Sequence, residues 1–244
     1  MMKFACVIPS RYGSTRLPGK PLADIAGCPM IERVYAQVSK AKRPEVVIVA
    51  TDDQRVYDAV AKFGGNVVMT RADHPTGTDR LAEVALSHDD IDVIINVQGD
   101  EPLIDPAIID ELADAFLQDN TLQMATVASP LLPEEYNEPS AVKVVLNRKG
   151  NAMYFSRSLL PYPRHDFVSP PLKHVGIYAY KREFLLDYAK MTPTPAEETE
   201  SLEQLRALEN GYTIRVITTK ERFIGVDTIE DLQRVNQLWA DKEK

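Results

Sequence analysis

Apolar and polar positions alternate along the first half of the chain in two rhythms. Phe4–Pro9 is a short apolar run of buried-strand character. Met30, Ile31, Val34, Val38 and Ala41 then recur at helical spacing and predict an amphipathic helix over about 29–41. The β-branched run Val46–Ala50 predicts a strand. Val56, Val60 and Phe63 mark the next helix, which Gly64 and Gly65 stop. Val67–Met69 and Val93–Val97 read as further strands, with a helix over Thr78–Leu86 between them. A helix over about 106–118 opens with Asp105 as its N-cap and Pro106 as its first residue. This alternation predicts an α/β fold, an open and mostly parallel sheet with helices on both faces.

The second half breaks the rhythm. Nine of the 17 prolines lie between positions 130 and 195. Short strand patterns occur at Met124–Ser129, Val142–Leu146, His174–Tyr180 and Thr213–Ile217, and a closing helix over about 228–240 carries Ile229, Leu232, Val235 and Leu238. These features predict added mixed strands and a smaller lid over about 130–200, embedded in a single unit spanning 1–244. No repeat and no linker divides the chain.

Charge narrows the class of ligand. The chain carries 28 Lys and Arg against 36 Asp and Glu, a net of −8, which disfavours nucleic acid and anionic membrane as partners. No apolar run approaches the roughly 18 residues of a membrane helix, and Pro9 cuts the first apolar stretch too short for a signal peptide. Cys6 and Cys28 have no metal-ligand spacing and read as thiols of a reducing compartment. The expectation is a cytoplasmic protein. The first twenty residues nevertheless carry Lys3, Arg11, Arg16 and Lys20 and no acid, a local excess that suits a small anionic ligand.

Those cations lie in PSRYGSTRLPGKPL, positions 9–22, just beyond the first strand, where open α/β sheets bind ligands. Gly13, Gly19, Ser10, Ser14 and Thr15 offer backbone donors beside Arg11, Arg16 and Lys20, a combination that suits a triphosphate. The alternative is a solvated basic turn. Walker A does not fit, because five residues separate Gly13 from Gly19 and Pro21 follows Lys20; GxGxxG is absent. In NVQGDEPLID, positions 96–105, Asp100 follows an apolar strand and is a natural Mg²⁺ or substrate carboxylate; turn or capping chemistry is the alternative for Glu101 and the preferred reading for Asp105. Asp227, in GVDTIEDL (225–232), reads as a helix cap or as a second metal carboxylate. Thr76, Gly77 and Thr78 offer hydroxyl and amide donors or a helix cap, flanked by Arg71 and Arg80. Arg157, Arg164, Lys173 and His174 are candidates to meet a substrate carboxylate, and Glu203 and Gln204 to meet sugar hydroxyls. Tyr178 and Tyr180 alternate along one strand, so one of them belongs to the core.

PSRYGSTRLPGKPL, ATDD (50–53), MTRADHPTGTDRLAEV, NVQGDEPLI, KHVGIYAY, SLEQLRALE and GVDT together resemble, in order, the motif set of the bacterial CMP-Kdo synthetases, the 3-deoxy-manno-octulosonate cytidylyltransferases. The resemblance runs over roughly residues 3–236. It implies a Rossmann-like α/β domain with a smaller mixed lid and dimerisation subdomain, assembled as a homodimer. It also implies transfer of CMP from CTP to the anomeric hydroxyl of 3-deoxy-manno-octulosonate (Kdo), with release of pyrophosphate, for lipopolysaccharide biosynthesis. On this resemblance Pro9, Ser10, Arg11, Arg16, Lys20 and Asp100 bind the nucleotide, with Arg11 and Lys20, assisted by Arg16, on the CTP phosphates, and Arg71, Thr76, Gly77 and Thr78 read the cytosine. Asp100 and Asp227 hold Mg²⁺. Gln98, Arg157, His174, Tyr178, Glu203 and Gln204 line the sugar pocket. Such a transfer needs positioning and charge neutralisation and no covalent nucleophile. The alternatives within the fold are cytidylyltransferases for 8-amino-Kdo or sialic acid. A non-catalytic nucleotide-binding homologue is disfavoured because the cations and both carboxylates are present.

Overall fold

The computed structural model describes residues 2–13 and 17–242. The first half follows the expected rhythm: β1 (Phe4–Ser10), a tight hairpin of β2 (Asp24–Ile25) and β3 (Cys28–Pro29), α1 (Met30–Val38), β4 (Val46–Thr51), α2 (Gln54–Lys62), β5 (Val67–Met69), α3 (Gly77–Leu86), β6 (Val93–Asn96) and α4 (Pro106–Gln118). The second half comprises β7 (Met124–Pro130), β8 (Lys143–Leu146), β9 (Ala152–Ser156), β10 (Leu172–Lys181), α5 (Arg182–Tyr188), α6 (Pro195–Glu200), α7 (Leu205–Glu209), β11 (Ile214–Thr218) and α8 (Ile229–Lys242).

The main sheet has the order β11-β7-β10-β6-β1-β4-β5. β1, β4, β5 and β6 are parallel, and β7 and β11 are parallel to each other. β10 is the exception, antiparallel to both β6 and β7. The antiparallel pair β8 and β9 extends from the start of β10. Side chains alternate across the sheet as period-two strands require. Phe4, Cys6 and Ile8 face a core shared with α1, α2, α4 and α8, while Ala5 and Val7 face a second core shared with α3, α5 and α7. Helices therefore cover both faces, as the apolar runs of the first half predict.

The β2–β3 hairpin, β9 and the short helices α5, α6 and α7 lie outside the sequence expectation. Met153 and Tyr154 of β9 are exposed, so that strand lacks a buried apolar run. α6 is a single proline-led stretch of six residues, too short to show a period. The strand order places the site. The chain passes from β1 outward to β4 and β5, then returns to β6 on the other side of β1. The resulting switch point opens a crevice beyond the carboxyl ends of β1 and β6.

Candidate functional site

The crevice is built by two loops that leave β1 and β6 side by side. The Val97 N–H donates to the Val7 carbonyl at 3.1 Å and carries the pairing one residue past β6. Gly99 then passes so close to the first loop that a Cβ there would stand 3.1 Å from the Pro9 carbonyl oxygen. Any side chain at this position would push the two loops apart. On the other wall Gly19 adopts φ +68°, a left-handed turn that favours glycine. It starts the 3-10 turn Lys20–Leu22, in which Pro21 is buried and Lys20 is aimed inward. The cleft between the loops encloses about 350 Å³, and its lining includes Pro9, Ser10, Arg11, Lys20, Gln98, Asp100 and Asp227. Arg16, Ser14 and Thr15 lie outside the described residues.

Two carboxylates 127 positions apart in sequence meet in this cleft. The Val226 N–H donates to the Asp100 carbonyl at 2.9 Å, which pins GVDT to QGDEP. Lys20 Nζ then lies 2.5 Å from Asp100 Oδ2 and 2.8 Å from Asp227 Oδ1. Burial pulls the Lys20 ammonium down, but the two carboxylates outweigh it and hold its pKa above the ordinary value. Of the two sequence readings for Asp227, the cap falls to its neighbour. Thr228 Oγ1 accepts from the Asp231 N–H at 3.1 Å, and Asp231 Oδ2 accepts in return from the N–H groups of Thr228 and Asp227. The Asp227 carboxylate therefore faces the cleft. Asp105 caps α4 through the Ala107 N–H, as its sequence predicts.

Glu101 does not behave as a surface turn residue. Its Oε2 is buried without a hydrogen-bond partner, and its Oε1 packs where a Cβ on Gly225 would come within 3.3 Å. Burial, then the charge of Asp100, push its carboxyl up to about 8 against the pull of Lys173 and Lys20.

A second wall comes from residues 70–80. Arg11 donates to the His74 carbonyl at 3.0 Å and so joins this segment to the first loop. Thr76 is the N-cap of α3 and shares a capping box with Asp79, so its hydroxyl is engaged with its own helix. Thr78, in the first turn of α3, is buried. Arg71 stays exposed and pairs with Asp73 at 3.3 Å. Arg80 is fully buried and ion-paired with Asp52 at 2.7 Å, a scaffold contact.

The remaining candidates lie on β10, in the segment before α7, and on the loop after β6 that touches β10. Gln98 Nε2 donates to the Gly176 carbonyl at 2.9 Å, beside an irregularity of β10 between Val175 and Tyr178. His174 Nε2 lies 3.1 Å from Thr126 Oγ1, and its ring stands between Phe155 and Tyr178 at 5.0 and 5.3 Å. Burial pulls the His174 imidazole down to about 3, so it is neutral at physiological pH. Burial, with Glu203 adding, raises the Tyr178 hydroxyl well above its ordinary value. Tyr180 is the core tyrosine of the pair, 2% exposed. Burial also raises Glu203. Glu203 Oε1 and Gln204 Nε2 are buried without partners, and such orphans call for a polar ligand. The segment is held by the Tyr188 hydroxyl, which donates to the Glu203 carbonyl at 2.6 Å, and by the buried Arg206–Glu197 ion pair.

Three cationic candidates are placed elsewhere. The Arg157 guanidinium donates to the carbonyls of Glu200, Pro139 and Ser201 at 2.7, 3.0 and 3.1 Å. Lys173 pairs with Glu135 at 2.5 Å and lines a separate cleft. Arg164 lies on an exposed loop.

The same order of elements is found in known proteins. Residues 5–220 match the family described as cytidylyltransferase. A 3-deoxy-manno-octulosonate cytidylyltransferase of Syntrophotalea carbinolica is 51% identical, over 96% of this chain and 97% of that one. One of Geobacter metallireducens is 52% identical over 96% of each. A solved structure of CMP:2-keto-3-deoxy-manno-octonic acid synthetase complexed with CTP superposes with a TM-score of 0.95 at 47% identity, covering 98% of this chain and 99% of that one. The chain belongs to the 3-deoxy-manno-octulosonate cytidylyltransferase family. In this cytidylyltransferase Glu101 is buried, although its position in QGDEP reads as a turn. Asn96, to which no motif assigns a role, has its Oδ1 buried without a partner at the end of β6. The available signal was an amide closing an otherwise apolar strand.

Proposed function

We propose that this protein transfers CMP from CTP to the anomeric hydroxyl of Kdo and releases pyrophosphate. The observation that carries the reading is the convergence of Lys20, Asp100 and Asp227 at the switch point, in a chain about half identical to Kdo cytidylyltransferases over nearly its whole length. Arg11, with Ser10 and the backbone of Pro9 beside it, binds the triphosphate at the mouth of β1, and Lys20 neutralises charge on it. Arg71 and the Thr76–Thr78 turn face the cytosine. Because the Thr76 hydroxyl caps α3, base contacts from this turn fall to the backbone and to Arg71. Gln98, His174, Tyr178, Glu203 and Gln204 hold the sugar acid, the last two through the polar atoms left unpartnered. A neutral His174 serves as a hydrogen-bonding group and not as a fixed cation. Arg157, with three donors on backbone carbonyls, supports the pocket wall.

The donor set fits Mg²⁺. Asp100 and Asp227 aim oxygens at one point that already holds a positive charge, and Mg²⁺ takes one or two carboxylates together with phosphate oxygens and water. Among the described residues no group of three or more His, Cys, Asp and Glu side chains forms a closed cage. When bound there, Mg²⁺ would neutralise phosphate charge and lower the pKa of the attacking hydroxyl. The sugar oxygen attacks the α-phosphorus while the bond to the bridging oxygen of pyrophosphate breaks in line. Asp100 and Asp227 orient the reacting groups, and Arg11 and Lys20 take up the charge that develops on the leaving group.

Residues 130–200 serve in this reading as a lid and dimerisation subdomain within one catalytic unit. The homodimer reading is supported by Met153 and Tyr162, which are 62% and 83% exposed there. Light scattering should return twice the chain mass, and Met153→Asp should shift the protein towards monomer. The cytoplasm, where CTP is made, is the compartment the reaction requires. The decisive assay measures pyrophosphate release with CTP or UTP crossed against Kdo, 8-amino-Kdo and sialic acid. Release with CTP and Kdo well above every other pair is the expected result. A preference for UTP, for 8-amino-Kdo or for sialic acid would overturn the assignment.

A further inference from the structure

Lys20 occupies the position that a divalent cation needs. Its ammonium lies 2.5 Å from Asp100 Oδ2 and 2.8 Å from Asp227 Oδ1. Mg²⁺ sits about 2.0–2.1 Å from its oxygen ligands. An ion bridging these two carboxylates would therefore stand within bonding reach of the Lys20 nitrogen. Two cations cannot share that point, so the ammonium must move before the ion enters.

The side chain is also held where it is. Lys20 begins a 3-10 turn closed by the Leu22 and Ala23 N–H groups, which donate to the Gly19 and Lys20 carbonyls at 2.8 and 3.1 Å. The Lys20 side chain is only 16% exposed and Asp100 27%, so water screens that contact less than at an open surface, while Asp227 is 46% exposed and its contact is screened more. Leaving both carboxylates without a replacement acceptor would cost the ammonium two charge-assisted hydrogen bonds. A triphosphate entering between Arg11 and Lys20 supplies such acceptors and adds the negative charge that a divalent ion compensates.

We propose that Lys20 is an internal counter-ion for the Asp100–Asp227 pair, which closes the metal position in the nucleotide-free enzyme and makes divalent-cation binding conditional on the triphosphate. The inference rests on the reading that these two carboxylates hold the metal. The enzyme is thereby spared an idle metal ion, and the same lysine is delivered to the phosphates by the event that frees the carboxylates.

The test uses Mn²⁺ alone as probe, with free Mn²⁺ read by electron paramagnetic resonance on the full chain, with and without CTP and without any sugar acid. Wild type should bind Mn²⁺ weakly until CTP is added. Lys20→Met and Lys20→Gln should each bind it at least about tenfold more tightly than wild type in the absence of nucleotide. Arg11→Met, which removes a cation of the same cleft that does not touch the carboxylates, should change that affinity by less than about threefold. The gain should vanish in the Lys20→Met, Asp100→Asn double variant. Circular dichroism confirms that each variant is folded. If neither Lys20 variant gains affinity, or if Arg11→Met gains as much, the counter-ion role is overturned while the metal assignment stands. If Asp100→Asn leaves Mn²⁺ binding unchanged even with CTP, the metal assignment itself fails and the inference falls with it.

Discussion

The Val226 N–H donates to the Asp100 carbonyl at 2.9 Å, and this backbone contact brings Asp227 to Asp100. It joins the loop after β6 to the segment before α8, so the second carboxylate is delivered by a chain that packs as a scaffold. The shared Lys20 then reports that the two carboxylates act on one position.

Removing either carboxylate should abolish metal-dependent turnover and leave the fold intact. Asp100→Ala and Asp227→Ala are each expected to slow pyrophosphate release by about a thousandfold or more, because each removes a metal ligand. Neither side chain belongs to the apolar cores, so circular dichroism and thermal melting should stay close to wild type. Near-normal pyrophosphate release from either variant would refute the assignment.

Gly99 tests the closeness of the two loops. A methyl group there would stand 3.1 Å from the Pro9 carbonyl oxygen, a backbone atom that moves only with its strand. Gly99→Ala should cost about 1–3 kcal/mol in urea denaturation, the usual range for overpacking. It should also raise KM for CTP, since Pro9 and Ser10 line the nucleotide side of the cleft. Unchanged stability together with unchanged KM would show that the loops have room to part.

The first half of the fold was legible in the sequence because each element there buries an apolar face of its own. The runs at β1, β4 and β6 and the stripe Met30, Ile31, Val34 and Val38 are fully buried or nearly so. β10 lies between β6 and β7 for a non-local reason, and no local pattern announces an antiparallel insertion. At the site, the residue types of Lys20, Asp100 and Asp227 suggested charge chemistry, whereas their meeting depends on a hydrogen bond across 126 positions, from Val226 to Asp100. Glu101 was hidden because burial is a property of its neighbours, with Gly225 pressed against it. Thr76 carried two legible roles, and only the capping geometry with Asp79 shows where its hydroxyl goes.

Arg157 separates a supporting role from substrate contact. Its guanidinium holds the carbonyls of Glu200, Pro139 and Ser201, and its own carbonyl accepts from Lys143 Nζ at 3.1 Å. Arg157→Ala should lower stability by about 2 kcal/mol, as expected for losing hydrogen bonds from a charged donor. Arg157→Lys should recover only part of it, because an ammonium cannot span three carbonyls set for a planar fork. A large rise in KM for Kdo with full stability would instead place the side chain on the substrate.

His174 gives the fold a pH dependence of definite sign. Burial holds its imidazole at about 3, below the ordinary value of 6.5. Above pH 6.5 neither the folded nor the unfolded chain carries the proton, and the neutral ring keeps its contact with Thr126. As pH falls from 6.5 towards 3, the unfolded chain takes up a proton that the folded chain refuses. Stability is therefore lost on acidification, at no more than about 1.4 kcal/mol per pH unit from this group. His174 keeps some contact with solvent, so the measured slope should fall below that ceiling. Replacing it by His174→Gln removes the titration and keeps a hydrogen-bonding side chain. Between pH 7 and pH 5, wild type should lose up to about 2 kcal/mol more than the variant in urea denaturation, with the common carboxylate contribution cancelling in the difference. Equal losses in the two proteins would mean that the folded state accepts the proton as readily as the unfolded one, and the neutral-histidine pocket would have to be abandoned.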